Sequence, residues 1–112
     1  MGIRLDKPWR PLAAREVAGV RGHLGVYQLA DAAGHVLYVG VAGGRSLFGL
    51  GGELTRELAN PRPDASCFRL EINAQYHTRW QELLMLHQAD HGELPRYNRE
   101  ERLPRLGRLS PA

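Results

Sequence analysis

Two tyrosines eleven residues apart, Tyr27 and Tyr38, stand in the triplets Gly25-Val26-Tyr27 and Tyr38-Val39-Gly40. A phenol can position a water molecule. It acts as a base near neutral pH only where a cation or metal draws its pKa down from about 10. A carboxylate in an unusual setting follows. Glu82 lies among Trp80, Leu83, Leu84, Met85, Leu86 and Ala89, which cover more than half of one helix's circumference. An ionised carboxylate on an apolar face is costly unless a cation or donor meets it. Glu82 therefore reads either as a ligand for a divalent metal ion, or as a mid-helix glutamate that bends to solvent or pairs with Arg79. His87 and His91, four apart on the same helix, have no third zinc ligand at compatible spacing and read as partly exposed helix residues. His77, within a turn and a half of Glu82, is a candidate proton-transfer group beside it.

The elements that must position these groups follow from hydrophobic period and turn residues. A leader, residues 1–21, holds a short helix from Pro11 to about Ala18, with Gly19 as its end. The runs His23–Leu29 and Val36–Val41 form a β-hairpin around the turn-type segment Asp31-Ala32-Ala33-Gly34-His35. Val36, Tyr38 and Gly40 are expected on one face of the second arm, and the hairpin can bring both phenols to one side. Five glycines between residues 42 and 52 make a loop that feeds a helix from about Gly52 to Ala59. That loop lacks the Lys-Ser/Thr of a phosphate-binding P-loop. Asn60 to Asp64 breaks the chain, Cys67–Ile72 alternates as a half-buried strand, and a last helix runs from about Gln75 to His91 with Gly92 as its stop. The expected fold class is α+β, a three-stranded antiparallel sheet flanked by helices.

The tyrosine triplets, the helix carrying Glu82, and the segment Pro95-Arg96-Tyr97-Asn98, in that order, resemble the GIY-YIG nuclease family over residues 22–98. The resemblance implies a metal-dependent endonuclease that hydrolyses DNA phosphodiester bonds. Tyr27 and Tyr38 would orient and deprotonate water, and Glu82 would hold one Mg²⁺ or Mn²⁺. Asn98 would fix the site through its amide. The family's phosphate-neutralising arginine falls at a position occupied by Phe48, so Arg45 is its expected replacement, with Arg56 as the alternative. The displaced arginine also admits a second class: a catalytically degenerate relative that binds nucleic acid or a partner protein without cutting.

Composition sets wider bounds. With 112 residues, 43% of them hydrophobic, the chain is one small domain with a modest core. No apolar run is long enough for a membrane span, and the N-terminus lacks a signal-peptide pattern. A single cysteine, Cys67, excludes an internal disulfide and reads as a reduced, packed thiol, so the expected location is cytoplasmic. Of 15 cations only Lys7 is not an arginine, and the net charge is +3. Arginine suits phosphate recognition, although GC-rich coding also enriches it. Residues 99–112 form a basic C-terminal tail, continuing the three-residue arginine spacing Arg96, Arg99, Arg102, Arg105, Arg108. It reads as a solvated tail or a phosphate-backbone contact.

Overall fold

A computed structural model describes residues 3–101. The elements in chain order are β1 (Arg10–Pro11), α1 (Ala14–Ala18), β2 (Gly25–Ala30), β3 (Val36–Ala42), α2 (Gly49–Ala59), β4 (Cys67–Ile72) and α3 (Tyr76–His91). All strand pairs are antiparallel, in the order β1-β4-β2-β3. The class is α+β as expected, with a fourth strand. Pro11 pairs with Cys67 at the sheet edge instead of opening a helix, and its missing N–H is tolerated there. Helix α1 is correspondingly shorter.

The sheet separates two apolar layers. Tyr27, Leu29, Tyr38, Ala42 and Phe68 meet Val17 of α1, Leu50 and Leu54 of α2, and Tyr97 on one face. Val26 and Val39 meet Leu83 and Leu84 of α3, together with Leu5, on the other. This division follows from the two-residue period of strands, so Tyr27 and Val26 must point opposite ways. The period breaks once. Leu29 pairs with Tyr38 but Ala30 pairs with Val36, so Leu37 has no partner across the hairpin. That bulge turns Val36 onto the α3 face, away from Tyr38, where a regular strand would have kept the two together. The hairpin turn is fixed by Asp31, whose carboxylate accepts from the Ala33 and His35 amides, and by Gly34 at φ 88°.

Helix α2 begins three residues earlier than its glycine-rich start implies. Gly49 sits at φ 58°, and a Cβ on Gly51 would lie 2.5 Å from the Val20 carbonyl oxygen. The glycines therefore let α2 rest on the backbone of residues 20–23 rather than loosen it. Helix α3 ends on Gly92 at φ 81°, the left-handed stop expected for it. Its buried stripe is narrower than the sequence implies: Leu83 and Leu84 are enclosed, while Met85 is 70% exposed. Among the described residues no helix is long and apolar enough to cross a membrane.

Candidate functional site

The hairpin register places Tyr27 opposite Gly40 and Leu29 opposite Tyr38, so the two phenols are diagonal neighbours with ring centroids 6.0 Å apart. The glycines of the triplets have steric reasons. A Cβ on Gly40 would stand 2.2 Å from Tyr27 Cζ, and one on Gly25 would stand 2.1 Å from the Glu71 carbonyl oxygen of β4. Gly40 is the space over which the Tyr27 ring lies. Gly25 lets β2 and β4 approach.

Around the phenols the structure assembles a set that the sequence reading largely missed. The Tyr27 hydroxyl donates to Glu57 Oε2 at 2.8 Å. Arg62 donates to both Glu57 oxygens, at 2.9 and 3.2 Å, and its guanidinium lies 3.8 Å above the Tyr38 ring. The Tyr38 hydroxyl donates to Glu101 Oε2 at 3.2 Å. With Glu53, Arg56 and Asn60, these residues line a polar cleft of about 370 Å³. The signal that marks Glu57 is the one applied to Glu82, since with Leu50 and Leu54 it stands at i, i+4 and i+7 on the buried face of α2, but it requires the helix to start before Leu50.

Both phenols are enclosed, Tyr27 at 2% and Tyr38 at 9% exposure. Burial holds the Tyr27 phenol well above the ordinary tyrosine value, reinforced by the Glu57 charge and the neighbouring phenol. Burial and then Glu101 raise Tyr38, against the opposing pull of Arg62. The folded chain thus keeps protons that the unfolded chain releases near pH 10. Above that pH the unfolded state binds fewer protons, so stability falls as pH rises and is intact below it. Urea unfolding of the wild type is expected to shift to lower denaturant between about pH 8 and pH 11, and Tyr27→Phe to shift less. Tyrosine absorbance showing both phenols ionised near pH 10 in a folded protein would contradict the enclosed site.

The remaining candidates separate. Glu71 pairs with Val26 in the ladder and so shares the α3 face. Arg79 there donates to both Glu71 oxygens, at 2.9 and 3.1 Å, to Glu82, and to the Ile3 carbonyl at 2.5 Å. Glu82 is thus tied to Arg79 across the sheet from both phenols, and Arg79 joins β4, α3 and the N-terminal segment. Of its two readings the geometry shows the Arg79 pair, and the sheet stands between Glu82 and the phenols. Arg45 stands at the tip of the 43–46 turn and lines a different, larger groove. Arg56 lines both that groove and the phenol cleft. His87 bonds through Nδ1 to the Glu93 carbonyl and lies beside His91, while His77 is exposed beside Trp80.

Asn98 acts on backbone. Its Oδ1 accepts from Val39 N–H at 2.8 Å and its Nδ2 donates to Val39 O at 3.0 Å, with Trp80 Nε1 also donating to that oxygen at 2.9 Å. Because β3 is an edge strand, Asn98 completes the ladder where a further strand would sit. Asn98→Ala orphans a buried N–H and is expected to cost about 2 kcal/mol, or about 10 °C in Tm for a domain of this size, read by far-ultraviolet circular dichroism. No change in Tm would rule out that role.

The described residues gather no dense ligand set for the expected Mg²⁺ or Mn²⁺, an ion that one or two carboxylates and several waters can hold. Both Glu57 oxygens are engaged by Arg62 and Tyr27, and among the described residues no three His, Cys, Asp or Glu side chains group to hold an ion. Of the basic tail, Arg96 pairs with Asp64 and Glu100, and Arg99 with Glu93. Arg102, Arg105 and Arg108 lie outside the described residues.

Comparison with known proteins gives a family without an activity. No curated protein and no solved structure matches the chain. A family profile covers residues 3–90, and the chain belongs to that family, described as a domain of unknown function (DUF7508).

Proposed function

We propose that this protein binds nucleic acid without hydrolysing it. The observation that carries the reading is the closed phenol site. The Tyr27 hydroxyl is bound to the Glu57–Arg62 pair, the Tyr38 ring lies under Arg62, and the glutamate expected to hold a metal is bound to Arg79 on the other sheet face. Both phenols line the cleft, but the Tyr27 hydroxyl is committed to Glu57 and the Tyr38 hydroxyl to Glu101, whereas a general base must be free to take the proton of the water it activates. Binding is supported by the cations. Among the described residues no carboxylate lies within salt-bridge distance of Arg15, Arg21 or Arg45, and Arg56 has only Glu53 at 3.5 Å. These exposed side chains sit on α1, α2 and the segments beside them, so their charge is available to phosphates.

A second reading, Mg²⁺- or Mn²⁺-dependent cleavage of DNA, is favoured by the convergence of Tyr27, Tyr38, Glu57, Arg56 and Arg62 on one polar cleft. It would need Glu57 in the place given to Glu82, and release of its ion pair.

Supercoiled plasmid incubated with the full chain and Mg²⁺ or Mn²⁺ separates the two. The expected result is retarded DNA that stays supercoiled. Affinity should lie at about 1–100 µM near physiological salt, and weaken as salt rises. Arg45→Ala and Arg56→Ala should each lower the log–log salt slope by about 1. Nicking abolished by Glu57→Gln would establish the second reading instead, and absence of any retardation would refute the first.

A further inference from the structure

A groove of about 880 Å³ runs between α1 and α2 and shares Glu53 and Arg56 with the lining of the phenol cleft. We propose that it takes an unpaired stretch of nucleic acid, with one base laid on the Phe48 ring and the flanking phosphates held by Arg45 and Arg56. This rests on the nucleic-acid reading above and names the form of nucleic acid that the same surface selects.

Phe48 is 68% exposed at the groove's lip, and Leu47 beside it is 84% exposed. The backbone that carries the ring is nonetheless anchored. The Phe48 carbonyl accepts from Gly52 N–H at 3.0 Å, and a Cβ on Gly52 would lie 2.8 Å from Phe48 Cβ. A side chain on Gly22 would approach the Phe48 carbonyl oxygen at 3.1 Å. The Phe48 backbone is thus anchored at the start of α2, and the ring projects from it into water beside side-chain-free Gly52. Cations frame it. Arg45 is three residues before it, Arg56 two turns after it, and Arg15 one turn from the groove-lining Ala18. Glu53 is the acidic side chain in the lining, and it faces Arg56.

Two features decide the occupant. The first amides of α2 are committed to backbone, Leu50 N–H to the His23 carbonyl at 2.8 Å and Gly51 N–H to the Arg21 carbonyl at 3.1 Å. Phosphates must therefore be met by guanidinium groups rather than by the helix end. The aromatic face, in turn, needs a flat apolar partner. A duplex presents base edges in its grooves, whereas an unpaired strand presents base faces that stack on aromatic side chains irrespective of sequence.

Fluorescence anisotropy with the full chain tests this on three labelled oligonucleotides: a single strand, the same sequence as a duplex, and a single strand carrying abasic sites. The single strand is expected to bind about tenfold tighter than the other two. Phe48→Ala should remove that advantage and leave duplex and abasic binding unchanged, while Phe48→Trp should retain it. Equal binding of single strand and duplex would overturn the inference and leave the nucleic-acid reading standing. So would a Phe48→Ala loss equal on all three probes, or a single-strand preference indifferent to it. Failure of all three probes to bind would overturn both.

Discussion

Gly25→Ala is expected to lower the melting temperature by roughly 12–24 °C, corresponding to about 3 kcal/mol in a domain of this size. The new Cβ would lie 2.1 Å from the Glu71 carbonyl oxygen and 3.0 Å from both Glu71 C and Ile72 Cα, all backbone atoms of β4. A side chain could rotate away from such a clash. Backbone in a ladder cannot, so β2 and β4 must separate where Gly25 pairs with Ile72. Gly25 and Tyr27 share β2, so the disturbance starts two residues from the Tyr27 phenol. Gly19→Ala is the control: its Cβ would meet one atom, the Glu16 carbonyl oxygen, at an ordinary 3.7 Å. Thermal melts of the two variants should differ widely, and coincident melts would show that the strands do not approach as closely as described.

Arg62→Met should cost about 3 kcal/mol, because it leaves the Glu57 carboxylate buried at 8% exposure with one neutral donor, Tyr27. The lost guanidinium also vacates the Tyr38 ring and its weaker approach to Tyr97, 5.5 Å from that centroid. Adding Glu57→Gln removes the stranded charge while keeping an acceptor for the Tyr27 hydroxyl. The double variant should therefore be more stable than Arg62→Met alone, with a coupling of about 1 kcal/mol or more in a double-mutant cycle. Denaturant melts of the four proteins measure this. If Arg62→Met unfolds within about 0.5 kcal/mol of wild type, the pair does not hold the phenol site together.

The strands were legible because their chemistry is periodic. Alternation fixed Cys67–Ile72 and put Tyr27 and Tyr38 on one side. Strand β1 was not legible, since two residues, one of them a proline, carry no period. The site was half legible. Its phenols announced themselves by their triplets, whereas Asn98, expected in the site, bonds the Val39 backbone instead of lining the cleft. Glu57 becomes legible by the rule applied to Glu82 only once α2 is known to start at Gly49, because glycines that read as loop moved its apparent start past Leu50. Arg62 lies in the Asn60–Asp64 breaker segment, where no pattern marks which way a side chain turns. Glu82 met the criterion for a buried carboxylate, yet its two possible partners could not be ranked until β4 brought Glu71 beside Arg79. Sequence identified which groups need a partner, and topology supplied the partner.

The closed phenol site is tested most directly by plasmid nicking at protein concentrations where the DNA is fully retarded, with Mg²⁺ or Mn²⁺ present. The account predicts that bound supercoiled DNA stays intact, with no more nicked circle than the Glu57→Gln variant produces. Nicked or linear product above that background would show that Tyr27, Tyr38 and Glu57 open to water and catalyse, and would contradict it.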